Sequence, residues 1–230
     1  MKKLLLGAML ICCCQALHSQ VLIALLFGDK LNSGKLEFGL VASPALTNIS
    51  GIYAKARVGL NLGFYFNIKI SDRLFLHPEF LPKAAYGAKG IAPYSTGSTS
   101  LDSLFAGGEV ERKIKGMSLP LLVRYRVKKL LFAEAGLQMD WFFKAKDIFK
   151  TKIDDNQLSY NTEVNYKIIM GDIGLAGGLI YKLKRDNGMG LGLRYFYSFT
   201  DLVKETAGTQ HSNAWQLQVT IPIGTGAKKQ

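Results

Sequence analysis

Between Lys55 and Ile70 the side chains alternate without a break. Ala56, Val58, Leu60, Leu62, Phe64, Phe66, Ile68 and Ile70 are apolar, and Lys55, Arg57, Gly59, Asn61, Gly63, Tyr65, Asn67 and Lys69 stand between them. A period of two is that of an extended strand with one oily face and one wet face. The run is far longer than the usual strand of about 5–6 residues. About 9–11 tilted strand residues cross a membrane, so a strand of this length crosses it and stands clear of it.

The front of the chain predicts export. Met1-Lys2-Lys3 is a positive start, Leu4 to Cys14 is an apolar stretch of secretory length, and Gln15 to Gln20 is a more polar exit. Residues 1–20 are therefore expected to be a signal peptide. The cysteines, Cys12, Cys13 and Cys14, all fall inside it, and none follows the small residue that a lipidation site needs. The exported chain then carries no disulfide. Removing the signal takes Lys2 and Lys3 and no acid, so the formal charge falls from +12 to +10. For an exported basic chain, anionic lipid or glycan is a better-placed partner than nucleic acid. No uncharged apolar run reaches the roughly eighteen residues of a spanning helix. A membrane protein without one closes its backbone hydrogen bonds in a barrel.

The same alternation recurs along the chain. Leu36, Phe38, Leu40 and Ala42 share a face; Leu74, Leu76, Phe80, Ala84 and Tyr86 share another, with His77, Glu79, Lys83 and Lys89 opposite and an irregularity at Pro78 and Pro82. Met117 to Tyr125, Leu131 to Ala145, Ile169 to Leu183, Leu191 to Phe199 and Trp215 to Ile223 repeat the pattern, with a bulge expected near Gly116. Loops are expected from Ser43 to Gly51, from Gly90 to Gly108, from Asp147 to Thr162 and from Asp201 to Asn213. They alternate with short turns near Ser71, Lys128 and Asp186, the asymmetry of an outer-membrane barrel with short periplasmic turns and long outer loops. Trp141, Phe143, Tyr197, Phe199 and Trp215 near outer strand ends, and Tyr125 and Tyr181 near inner ends, suit two interfacial girdles. The expected fold is all-β: a single up-and-down antiparallel transmembrane β-barrel of about eight strands, in the cell outer membrane. It spans residues 35–225, between a short periplasmic segment at 21–34, whose Val21 to Phe27 run has no assigned role, and a tail at 226–230.

A barrel of about eight strands is just wide enough for its own side chains to fill. Arg57, Lys69, Glu79, Arg124, Glu134, Asp140, Asp172 and Arg194 are the expected lumen residues, with both signs at facing depths. Lys89, Lys113, Lys115, Lys144 and Lys146 map to outer strand ends, where lipopolysaccharide phosphates would lie. His211-Ser212 is the best nucleophile–base candidate, at the outer start of the last strand, but no orienting carboxylate accompanies it. No cluster has metal-ligand spacing and no glycine-rich phosphate loop opens a helix, so no cofactor and no catalysis are expected.

Val21 to Leu31, Leu119-Pro-Leu-Leu-Val-Arg-Tyr-Arg126, Gly171-Asp-Ile-Gly-Leu-Ala-Gly-Gly178 and Gly192-Leu-Arg-Tyr-Phe-Tyr197 carry a resemblance. The chain resembles the Bacteroidetes outer-membrane β-barrels labelled PorT-like or porin-family, architectural relatives of small OmpA- and OmpX-type barrels. The likeness covers nearly all of the exported chain and implies location and shape, with no catalytic set. It also implies passage through the barrel-assembly machinery as a monomer. The ending Ile221-Pro-Ile-Gly-Thr-Gly-Ala-Lys-Lys-Gln230 departs from the terminal aromatic residue of many barrels. The expected role is structural or interactive, through the outer loops. The alternatives are a narrow channel for small solutes or ions, a soluble exported ligand-binding barrel, and a lipid-modifying hydrolase.

Overall fold

A computed structural model describes residues 35–154, 156–184, 188–204 and 208–223. The expected signal peptide, the segment at 21–34 and the tail at 226–230 lie outside these. The elements in chain order are β1 (Leu36–Ser50), β2 (Lys55–Lys69), β3 (Leu74–Ile91), α1 (Thr99–Phe105), β4 (Glu109–Arg126), β5 (Leu131–Ile153), β6 (Asn156–Glu163), a 3-10 turn (Asn165–Lys167), β7 (Gly171–Lys182), β8 (Gly190–Ser198) and β9 (His211–Pro222).

Each strand is antiparallel to its neighbours, and β4 pairs with β5 while β1 pairs with β9. Eight strands therefore close a ring in the order β1-β2-β3-β4-β5-β7-β8-β9. β6 hangs on the outer half of β5, from Lys146↔Glu163 to Ile153↔Asn156. The inner half of β5 pairs with β7, from Leu131↔Tyr181 to Trp141↔Gly171. This is an up-and-down barrel with no open edge in the ring, the arrangement that leaves no backbone polar group facing lipid.

Alternation places the faces. Val58, Leu60, Leu121, Val123, Leu175, Leu193 and Leu217 are exposed on the outside. Ser43, Asn61, Gln138, Arg194, Gln216 and Gln218 are buried inside. An inside-out pattern of this kind is stable only when lipid covers the exterior. At the inner end Ser71 shapes the β2–β3 turn: its Oγ accepts from the amides of Arg73 and Leu74.

Three expectations change. The loop expected from Ser43 to Gly51 is strand: β1 runs through it, and only residues 51–54 join it to β2. Pro44 is tolerated because it faces outward where the β1–β9 ladder skips from Ala42↔Val219 to Ala45↔Gln216, so its missing N–H leaves no gap in a continuous ladder. The loop expected from Asp147 to Thr162 is the β5–β6 hairpin, which projects past the belt and needs no oily face. The loop expected from Gly90 to Gly108 contains α1.

Two bulges also reverse faces that simple alternation would fix. Pairing between β3 and β4 shifts between Leu81↔Ser118 and Ala84↔Gly116, so Ala84 and Tyr86 turn into the lumen and Lys83 turns out. Pairing between β4 and β5 shifts between Lys115↔Lys144 and Gly116↔Phe142. The extra residue is Phe143 on β5, opposite the expected position at Gly116. Beyond it Ala145, Asp147 and Phe149 point inward, and Lys144 and Lys146 outward.

Candidate functional site

The lumen is built in layers from the inner end. Lys182 on β7 donates to both oxygens of Glu37 on β1, at 2.9 and 2.8 Å, and the Tyr65 hydroxyl on β2 donates to Glu37 Oε1 at 3.1 Å. The next layer is a chain of charges. Arg194 on β8 gives Nη1 and Nη2 to the two oxygens of Glu79 on β3, at 2.9 and 2.6 Å. Its Nε donates to Glu134 Oε1 on β5 at 2.7 Å, and Arg124 Nε on β4 donates to Glu134 Oε2 at 2.6 Å. His77 Nε2 lies 3.0 Å from Glu79 Oε1. All five side chains are buried, and two cations face two carboxylates beside the imidazole.

Above them Gln138 Nε2 donates to the Tyr86 hydroxyl at 3.1 Å and contacts both oxygens of Asp140. Ser198 donates to Asp172. Asp140 and Asp172 are register partners on β5 and β7. Tyr86 then packs on Phe142 and Phe196, under an apolar layer that includes Ile49, Ile114, Ile168, Leu202 and Val203.

Of the expected lumen residues, the fold brings Glu79, Arg124, Glu134 and Arg194 into one network and places Asp140 and Asp172 above it. Arg57 and Lys69 do not join. Arg57 Nε donates to Glu111 at 3.0 Å near the outer end, where the β2–β3 register is broken between Ala56 and Leu62. Lys69 sits at the inner mouth and pairs with Asp72 across the turn at 2.6 Å. Glu37, Gln138 and Lys182 belong to the lumen and were recognisable as polar positions in alternating runs. Tyr86 and Asp147 were not, because each lies beyond a bulge on its own strand; Arg112 keeps the unbroken parity of β4, since the bulge expected near Gly116 falls on β5 instead. Ser212 is buried in the lumen while His211 Nδ1 lies 3.1 Å from the Thr200 carbonyl. Neighbours on a strand project to opposite faces, so the two do not meet as nucleophile and base.

The outer rim has its own anchor. Arg112 grips Asp147 with Nε and Nη2 at 2.9 and 2.7 Å, and the Tyr94 hydroxyl donates to Asp147 Oδ2 at 2.7 Å, tying residues 92–108 to the barrel mouth. Lys167 Nζ lies 4.2 Å from the Tyr94 ring centre. Phe105 of α1 packs on Phe149, beside a shallow cavity of about 270 Å³. Asp102 accepts from the Thr96 amide, the Thr96 hydroxyl and the Ser95 hydroxyl, each at 2.7 Å, and these donors hold its carboxyl below the ordinary aspartate range. A carboxyl lowered by folding contributes order above its ordinary titration range and loses it as pH falls through the folded value. Limited proteolysis of residues 92–108 should therefore accelerate when the pH drops from 7 to below the aspartate range. Asp102→Asn should show faster cleavage at pH 7 and a flatter response to acid.

Residues 29–204 match the model of the family described as outer membrane protein beta-barrel domain. The chain belongs to this family. The closed ring, the oily exterior and the polar interior are what this family's location requires, and the protein is an outer-membrane β-barrel. Among solved structures it is similar to Ail, the attachment invasion locus protein of Yersinia pestis, in complex with the heparin analogue sucrose octasulfate. That likeness is at 12% identity and a TM-score of 0.45, covering 83% of this chain and 99% of that one. It is also similar to Neisserial surface protein A, at 11% identity and a TM-score of 0.42, covering 81% of this chain and 96% of that one. OprG from Pseudomonas aeruginosa matches at 12% identity and a TM-score of 0.35, covering 83% and 94%. No curated protein matches the sequence.

Proposed function

We propose that this outer-membrane barrel is a closed scaffold that acts through its outer rim and loops. One observation carries the reading. β3 and β8 lie four strands apart in either direction around the ring, so they are opposite walls. Glu79 and Arg194 nevertheless meet across the lumen through two hydrogen bonds of 2.9 and 2.6 Å. A guanidinium locked to carboxylates from both sides of the ring fills the bore at that level, as expected for a barrel of this strand number. The likeness to PorT-like barrels points the same way, to location and shape without a catalytic set.

Planar-bilayer recordings of the purified full chain test this. The wild type, refolded in lipid as a heat-modifiable band, should give no discrete conductance steps. Well-defined unitary steps from the wild type would replace the scaffold with a narrow channel.

A further inference from the structure

On the outer face of the β4–β5 pair, the apolar belt ends in two rungs of like charge. Outward-facing side chains on β4 run Tyr125, Val123, Leu121, Leu119, Met117 and then Lys115, Lys113; on β5 they run Ala133, Ala135, Leu137, Met139, Trp141, Phe143 and then Lys144, Lys146. The register sets Lys115 directly opposite Lys144 and Lys113 directly opposite Lys146. Lys83 on β3 is exposed on the same side, next to Ala84, which pairs with Gly116. Like charges directly opposite on a sheet repel and destabilise the pair.

The nearby acids compensate in part. Glu111 contacts Lys113 at 3.3 Å and Lys150 at 2.5 Å, and also holds Arg57; Glu163 contacts Lys144 at 2.7 Å. Among the described residues, no carboxylate lies within ion-pair distance of Lys83 or Lys115, and Lys146 has only Glu163, its register partner on β6, whose ion pair is made with Lys144. The belt from Tyr125 to Met117 spans nine residues of tilted strand, the length that crosses the hydrocarbon. The first lysine rung therefore sits at the height where the outer leaflet's headgroups begin. Lys89 lies farther out, opposite Lys55, away from this edge.

We propose that Lys113, Lys115, Lys144 and Lys146, with Lys83 beside them, bind the phosphate groups of outer-leaflet lipid. A phosphate between two opposed ammonium groups turns each repulsive rung into a pair of charge-assisted contacts, and the adjacent Met117, Trp141 and Phe143 lie against the acyl chains. The inference deepens the rim-mediated role proposed above and names its partner. It does not depend on whether the lumen conducts, so the bilayer recordings and the lipid test fail separately.

The test compares the full-length barrel with the variant Lys113→Gln, Lys115→Gln, Lys144→Gln, Lys146→Gln, both folded in a neutral maltoside detergent. Without added lipid the variant should unfold at the same temperature as the wild type or higher, because the like-charge rungs are gone. Titration with bis-phosphorylated lipid A should stabilise the wild type, and the variant's apparent affinity should be weaker by roughly tenfold or more. Lys128→Gln with Lys129→Gln, at the inner turn, should leave the affinity unchanged. If the quadruple variant does not fold, Lys115→Gln with Lys144→Gln serves the same comparison, and the four-Arg replacement should retain binding. Equal affinity of variant and wild type overturns the proposal, as does equal binding of dephosphorylated lipid A. Full competition by millimolar inorganic phosphate would overturn the lipid assignment in favour of a free-phosphate site.

Discussion

Arg194→Met should lower the stability of the folded barrel by about 3–5 kcal/mol, because it leaves Glu79 and Glu134 buried without their shared cation. Arg194 makes three hydrogen bonds to two carboxylates, at 2.6, 2.7 and 2.9 Å. Arg124 makes one, through Nε at 2.6 Å, and its Nη1 and Nη2 have no partner. Arg124→Met should therefore cost less than Arg194→Met, although both guanidinium groups are buried to the same degree. Replacing Glu79 and Glu134 by Gln together with Arg194→Met should recover part of the loss, since the uncompensated charges leave with their partner. Urea unfolding in lipid vesicles, followed by the fluorescence of Trp141 and Trp215, measures all three. A change below about 1 kcal/mol for Arg194→Met would mean that water already solvates the network, against its reading as a plug.

The second large effect is at Gly87. Its φ is +123°, and a Cβ there would lie 2.0 Å from the carbonyl oxygen of Arg112 on β4. Gly87→Ala thus adds a backbone conformation that L-residues resist, about 1–3 kcal/mol, to a collision with main chain that costs a further 1–3 kcal/mol, roughly. The collision falls beside the Arg112–Asp147 pair, so the loss should appear first as loosening of residues 92–108. Gly97 is the control. It has φ +86° with open space around its Cβ position, so Gly97→Ala carries the backbone strain without the clash. Hydrogen exchange of β3 and β4, read beside heat-modifiability of the folded band, should separate the two variants. Equal effects would show that strain dominates and that the β3–β4 contact yields easily.

Charge without shape explains why some lumen residues were recognisable in sequence and some were not. Glu79, Arg124, Glu134 and Arg194 sit in uninterrupted alternation, where parity alone assigns the face. Arg57 has the correct parity, yet the β2–β3 ladder breaks beside it and its guanidinium reaches Glu111 instead. Lys69 has the correct parity too, but at a strand end a long side chain reaches the nearest exposed acid, Asp72.

Within the sequence alone, period-two alternation over runs long enough to cross a bilayer, together with the expected export and the short inner turns, pointed to a membrane barrel; a soluble barrel has the same period, and the burial of the charged face is what puts the oily face outside. It also determined roughly how many strands there are and where the inner turns fall. The tertiary structure decided what alternation cannot carry. An extra residue at Phe143 and the irregularity at Pro82-Lys83 each reverse the parity of the residues that follow on their own strand, on β3 as far as Ala88. The outward facing of Lys83, Lys144 and Lys146 and the inward facing of Asp147 follow from those two shifts, whereas Lys113, Lys115 and Arg112 keep the plain alternation of β4. The contact of Glu79 with Arg194 depends on ring closure, which sets strands 115 positions apart in sequence against opposite sides of one narrow bore.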